Sequence, residues 1–188
     1  MKCILCNLYF IRGKPETQTN GVKMSNTKEI LKNAILLEKK GNAFYQKVAD
    51  MAQSQAVKEF FQLMADEEVT HIEMLSTQFK EYKSRGGFGR LDLKSSDHSK
   101  IASSVLTREV KDEIAAADFE AAAIGAAISM EKRAIELYSG RAGATADQQE
   151  KKLYQWLADW EKDHLNILLD IDKELKEKVW NDNNFWPS

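Results

Sequence analysis

MADEEVTHIEML, Met64 to Leu75, places two ionisable residues where a helix would bury its apolar side chains. Positions 64, 68, 71 and 75 fall on one stripe of a 3.6-residue helix, so Glu68 and His71 share the face defined by Met64 and Leu75. LADWEKDHLNIL, Leu157 to Leu168, repeats the arrangement, with Glu161 and His164 set between Leu157 and Leu168. A single Glu-x-x-His is usually a solvated surface feature. Two copies inside apolar stripes need another account, because an unpaired buried charge costs several kcal/mol.

The two copies belong to a longer repeat. LLEKKGNAFY (Leu36 to Tyr45) aligns with SMEKRAIELY (Ser129 to Tyr138), and ADEEVTH (Ala65 to His71) aligns with ADWEKDH (Ala158 to His164). One offset of 93 residues relates Glu38 to Glu131, Tyr45 to Tyr138, Asp66 to Asp159, Glu68 to Glu161 and His71 to His164. Such constancy across two motifs marks an internal duplication. Glu38, between Ala34 and Gly41, and Glu131, between Ile128 and Ile135, also lie on apolar stripes.

Helical periodicity predicts four long segments from Thr27 onward. The first carries Ile30, Ala34, Leu37, Gly41, Tyr45, Val48 and Ala52; the second carries Val57, Phe60, Met64, Ile72, Leu75 and Phe79. Asn26, with Glu29 three residues on, is expected to cap the first, and a break at Asp50 to Gln55 with Ser54 as N-cap separates it from the second. Gly86, Gly87 and Gly89 are expected to stop the second after Ser84-Arg85. A polar, aperiodic connection then runs to about Thr107. The third segment, with Ile124, Ile128, Ile135 and Tyr138 on one face, is expected to end in a loop at Gly140 to Gly143. A capping box of Thr145 and Gln148 would open the fourth, which carries Leu153, Leu157, Leu168, Ile171 and Leu175. The fold expected is all-α: a ferritin-like four-helix bundle of two helical hairpins joined by a long crossover.

The duplication sets the polar residues at one height. Midway between Glu38 and Glu68 is position 53, inside the first break, and midway between Glu131 and Glu161 is position 146. At about 1.5 Å rise per residue, the two ligands of each hairpin stand equally far from its turn, so all six side chains can meet at mid-bundle. Four carboxylates with no inward Lys or Arg call for about two divalent cations. A Glu from each of two helices plus Glu-x-x-His from each of the other two is the ligand set of a carboxylate-bridged di-metal centre. Oxygen-rich ligation with one imidazole per metal and no thiolate suits two Fe, with Mn or a mixed pair as alternatives, rather than structural Zn.

Other residues divide into roles and bystanders. Tyr45 and Tyr138 lie two turns beyond Glu38 and Glu131, placed either to pack as core aromatics or to hydrogen-bond the ligands and pass electrons. Glu67 and Asp163 are expected to face solvent, and His98 to be a solvated residue of the crossover. Residues 1–24 read as a disordered leader or a misassigned start, with Met24 the natural one, and residues 25–178 as the bundle. The aromatic tail 179–188 is expected to fold onto the bundle or a neighbouring subunit.

Composition narrows the function classes. Pro occurs only at Pro15 and Pro187, so the stretch between is free of the commonest helix breaker. A net charge of −2 offers no electrostatic attraction for nucleic acid or an anionic membrane. Ile114 to Met130 is small and apolar but is interrupted by Asp118 and Glu120, and so reads as a bundle helix rather than a membrane span. Only Cys3 and Cys6 are present, which suits a reducing cytoplasm; as a metal-binding pair they would need two more ligands that the chain does not supply.

Glu38, Glu68-x-x-His71, Glu131 and Glu161-x-x-His164 together resemble the rubrerythrin family of the ferritin-like superfamily, over about Thr27 to Leu175. The resemblance implies a di-iron centre that reduces hydrogen peroxide to water and is re-reduced by a donor. It implies Glu38 and Glu131 as terminal ligands, Glu68 and Glu161 as bridges, and His71 and His164 as one nitrogen ligand to each iron. Two departures stand out. The family's rubredoxin domain, with its two Cys-x-x-Cys pairs, has no counterpart in this sequence, which points to an external electron donor, a rubredoxin-like protein or a reductase. The family's extra Glu one turn after the third-helix ligand is replaced by Ala134. That change moves the site toward bacterioferritin, which uses four Glu and two His and has Tyr at the same spacing. Ferroxidase chemistry, O2-dependent oxidation of an organic substrate, and a purely structural metal staple are the alternatives to peroxide reduction. A homodimer or small homo-oligomer is the expected assembly.

Overall fold

A computed structural model describes residues 27–91, 106–116 and 118–181. Among these the secondary structure is five helices: α1 (Thr27–Met51), α2 (Gln55–Arg85), α3 (Arg108–Ala116), α4 (Asp118–Ala144) and α5 (Gln148–Asn181). The proposed leader, Asn26, most of the crossover with His98, and the tail beyond residue 181 lie outside the described residues. Trp180, at the start of the aromatic tail, is 71% exposed.

Local chemistry explains the helix ends. Ser54 is the N-cap of α2, its hydroxyl accepting from Val57 N at 3.5 Å, and Gly86 ends α2 in the left-handed region (φ 74°), its N–H returning to Tyr82 O. A residue with a Cβ is disfavoured at such a φ, so glycine suits this stop. The second turn departs from expectation. α4 continues through Gly140 and Gly143 to Ala144, and the turn is 145–147. Two glycines cost a helix about 1 kcal/mol each, and tertiary anchoring outweighs that here. Ala142 is buried, and Arg141 makes paired bonds of 2.7 and 2.8 Å to the buried carboxylate of Glu150 in α5. Nor is Thr145 the cap. Asp147 Oδ1 accepts from Gln149 N and Glu150 N at 2.8 and 3.0 Å, while Thr145 donates to Glu150.

α1 packs chiefly on α2 and α4 chiefly on α5. The short α3 buries Val110 and Ile114 and is tied to α5 by Lys111, which bonds Asp170 and Glu174. Buried apolar residues form two layers. One joins Val48, Phe60, Phe61 and Met64 to Ile124, Ile128, Leu168 and Ile171; the other joins Leu31, Ala34 and Leu75 to Tyr138, Leu153 and Leu157. The first layer holds the 52–54 turn end of α1 and α2, and the second holds the 145–147 turn end of α4 and α5, so the two turns point to opposite ends. Between the layers runs a belt of polar side chains. Among the described residues, no helix is long and apolar enough to cross a membrane.

Candidate metal centre

Glu38, Glu68, His71, Glu131, Glu161 and His164 make up that belt, each no more than 3% exposed. Each sits on its helix at the stripe position that its apolar neighbours define, so burying the stripe carries the polar group inward with it. Their donor atoms form two groups of four, Glu38, Glu68, His71 and Glu161 on one side and Glu68, Glu131, Glu161 and His164 on the other, with the atoms of each group within 4.8 Å of one another. Glu68 and Glu161 belong to both groups. The other four residues each belong to one. Each group draws on both hairpins.

The donor atoms crowd together at the centre of the belt. His71 Nδ1 lies 3.1 Å from Glu161 Oε1, and His164 Nδ1 lies 3.2 Å from Glu161 Oε2. Among the described residues neither Glu161 oxygen makes a hydrogen bond, and His164 Nδ1 also has none. Buried polar atoms left without partners are rare in folded proteins, and a cation between them would satisfy all of these at once. The donor set, four carboxylates and two imidazoles without thiolate, fits iron or manganese chemistry.

Electrostatics tells the same story in the absence of a cation. Burial first, then the neighbouring Glu161, raises Glu68 well above the usual carboxylate range, and burial and Glu161 do the same to Glu131. Burial opposes charge on Glu161 as well, yet its place between His71 and His164 holds its carboxyl low. Burial would lower both histidines, but the surrounding carboxylates, Glu161 foremost among the charges, raise His71 and His164 instead. The cluster therefore gathers positive charge wherever it can.

Two tyrosines brace the carboxylates across the hairpins. Tyr45 of α1 donates to Glu131 Oε1 of α4, and Tyr138 of α4 donates to Glu38 Oε1 of α1; both rings are fully buried. Each therefore packs in an apolar layer and holds a belt carboxylate of the opposite hairpin. Burial, followed by the charge of Glu131, pushes the Tyr45 phenol well up, so it stays a proton donor.

Glu67 does not face solvent. It is buried, its Oε2 lies 2.5 Å from His164 Nε2, and Trp160 Nε1 donates to the same oxygen at 3.2 Å. Its own helix places it off the stripe, but the partner it meets comes from α5, which the periodicity of α2 cannot show. One signal was available: the 93-residue offset pairs Glu67 with Trp160, a bulky core-forming side chain. Asp163 is partly buried. Gly41 gives Glu68 its room, since a Cβ there would stand 3.1 Å from Glu68 Cδ.

The fold and the belt define a class: a helical-bundle protein with a buried, oxygen-rich cluster of carboxylate and imidazole donors that could hold a metal. The Rubrerythrin family model matches residues 29–172, and the chain belongs to that family. No curated protein and no solved structure matches the chain.

Proposed function

We propose that this protein is a non-haem di-iron oxidoreductase that reduces hydrogen peroxide, or O2, with electrons from an external donor protein in a reducing, cytoplasmic setting. The observation that carries this reading is the overlap of the two donor groups through Glu68 and Glu161. Donors common to both groups are what two cations held side by side would share, and family membership makes iron the metal of choice. On this reading Glu38 and His71 complete one position, Glu131 and His164 the other, and Glu68 and Glu161 bridge. The iron pair, when bound, supplies two electrons, the number that turns peroxide and two protons into two waters.

The protein supplies the surroundings. Tyr45 and Tyr138 keep Glu131 and Glu38 from rotating, and the two apolar layers exclude bulk water above and below the belt. A cavity of about 210 Å³ reaches the carboxylates of Glu38, Glu68, Glu131 and Glu161 between Leu37, Gly41, Met130 and Ala134, near the exposed Lys40 and Arg133. The small side of Ala134 helps keep this approach open. Because the cavity opens from the carboxylates toward the exposed Lys40 and Arg133, it also favours a second reading, O2-dependent oxidation of a small organic substrate.

Stopped-flow oxidation of the anaerobically Fe(II)-loaded protein by peroxide and by O2 in parallel tests the proposal. Faster oxidation by peroxide, read as growth of ferric absorbance, on material eluting as a small oligomer, is the expected result. Faster reaction with O2 would reject peroxide reduction, and elution as a large cage would move the assignment to iron handling.

A further inference from the structure

Glu67 and Trp160 occupy equivalent positions of the two halves, 93 residues apart, yet one is a carboxylate and the other an indole. The substitution leaves the two ligand histidines in different surroundings. His164 presents Nδ1 to the carboxylate belt while its Nε2 is bound to Glu67 Oε2 at 2.5 Å, so the bond to Glu67 fixes the ring from behind. His71 also presents Nδ1 to the belt, at 3.2 Å from Glu38 Oε2 and 3.1 Å from Glu161 Oε1. Its Nε2 has no hydrogen-bond partner among the described residues. Behind that ring stand instead Trp160, edge-on at 4.5 Å between centroids, and Trp156 at 5.9 Å.

We propose that the two metal positions are unequal, the one completed by His164 binding a divalent cation more tightly than the one completed by His71, and that Glu67 is the positioning residue responsible. The inference rests on the di-metal reading given above. A carboxylate accepting from the outer N–H of a ligand imidazole increases the basicity of the inner nitrogen and fixes the ring's orientation; losing such a partner typically costs about 10- to 100-fold in metal affinity. Among the described residues only His164 has one. Trp160 takes part on both sides: its ring packs against His71, and its N–H holds the Glu67 oxygen that His164 uses. The indole thus withholds a carboxylate from one histidine while steadying the carboxylate of the other. Glu67 also adds a fourth carboxylate close to the His164 position, where Glu68, Glu131 and Glu161 already converge.

The test is an anaerobic titration of the metal-stripped full chain with Co2+, followed by its ligand-field absorption. The native chain is expected to fill in two steps separated by about tenfold or more in Kd, which is about 1.4 kcal/mol. His164→Ala should abolish the tight step, and His71→Ala should abolish the weak one. Glu67→Gln, which keeps the side chain's shape, should bring the two constants together while leaving the capacity at two. Trp160→Phe, which removes the indole N–H from Glu67, should narrow the gap to a smaller degree. A native chain with two equal steps, a tight step that survives His164→Ala, or a gap unchanged in both Glu67→Gln and Trp160→Phe overturns the proposal. Equal uptake of two equivalents would leave the di-metal reading standing, whereas no uptake by the native chain would remove both.

Discussion

The turn of the first hairpin, residues 52–54, is capped by the Ser54 hydroxyl, which also donates to Glu113 of α3, whereas the turn of the second, residues 145–147, is capped by Asp147 and tied down by Thr145 and the paired bonds of Arg141 to Glu150. Ser54 and Asp147 cap at equivalent positions, 93 residues apart, while the side-chain bonds around them differ; the geometry obeys the repeat. Met51 and Ala144 end the first helix of each hairpin, Gln55 and Gln148 begin the second, and both pairs differ by 93. The distance from turn to ligand is what the two halves hold in common, because a one-residue change would rotate a ligand about 100° off the inward stripe. How each turn is fastened is free to vary, as are the groups behind the ligands.

The sharpest way to break the symmetry of the halves is at the residues they share. Glu68→Ala or Glu161→Ala should remove both metal equivalents, while Glu38→Ala should remove one, as read by metal content after anaerobic loading. Equal retention in all three would refute the overlap of the two groups. Next in size is the second turn. Arg141→Ala leaves the buried Glu150 carboxylate without its paired partner and should cost about 2–3 kcal/mol in denaturant unfolding, somewhat below a fully buried pair because Arg141 is partly exposed. Gly41 and Ala134 offer a smaller contrast at equivalent positions. Gly41→Ala should press on the Glu68 carboxylate and weaken metal binding by about tenfold with little change in stability. Ala134→Gly should leave metal binding alone and lower helix stability by about 1 kcal/mol. The smallest effect belongs to the first turn, where Ser54→Ala should cost about 0.5–1 kcal/mol, measured in the same unfolding assay as Arg141→Ala.

Most of the belt was legible because each of its residues interrupts an apolar stripe and recurs at one offset. Met64, Leu75, Leu157 and Leu168 are all fully buried, and the polar residues between them are buried as well. The stop at Gly86 was legible too, since a glycine is favoured where the chain must turn left-handed. The loop expected at Gly140 to Gly143 was misplaced because glycine is only a local preference, and burial of Ala142 with the Arg141–Glu150 pair overrides it. The offset itself carries residues 52–54 onto 145–147, so the repeat was the better guide than composition. Leu31 and Phe61, both buried, escaped the stripes drawn from sequence because each apolar face is wider than one row of side chains. Glu67 escaped for a different reason: its burial is produced by α5, and no single helix encodes the partner it will meet.

The overlap of the two donor groups has a consequence for how such a centre could arise. Glu161 of the second hairpin is needed by the group that holds Glu38 and His71, and Glu68 of the first is needed by the group that holds Glu131 and His164. Neither hairpin owns a complete metal position. A lone ancestral hairpin with these ligands could have built the centre only by pairing with its twin, and in such a pair every change would appear twice. Joining the twins in one chain lets the residue at one of two equivalent positions be an indole and its counterpart a carboxylate, a difference that a symmetric pair of identical chains could not express.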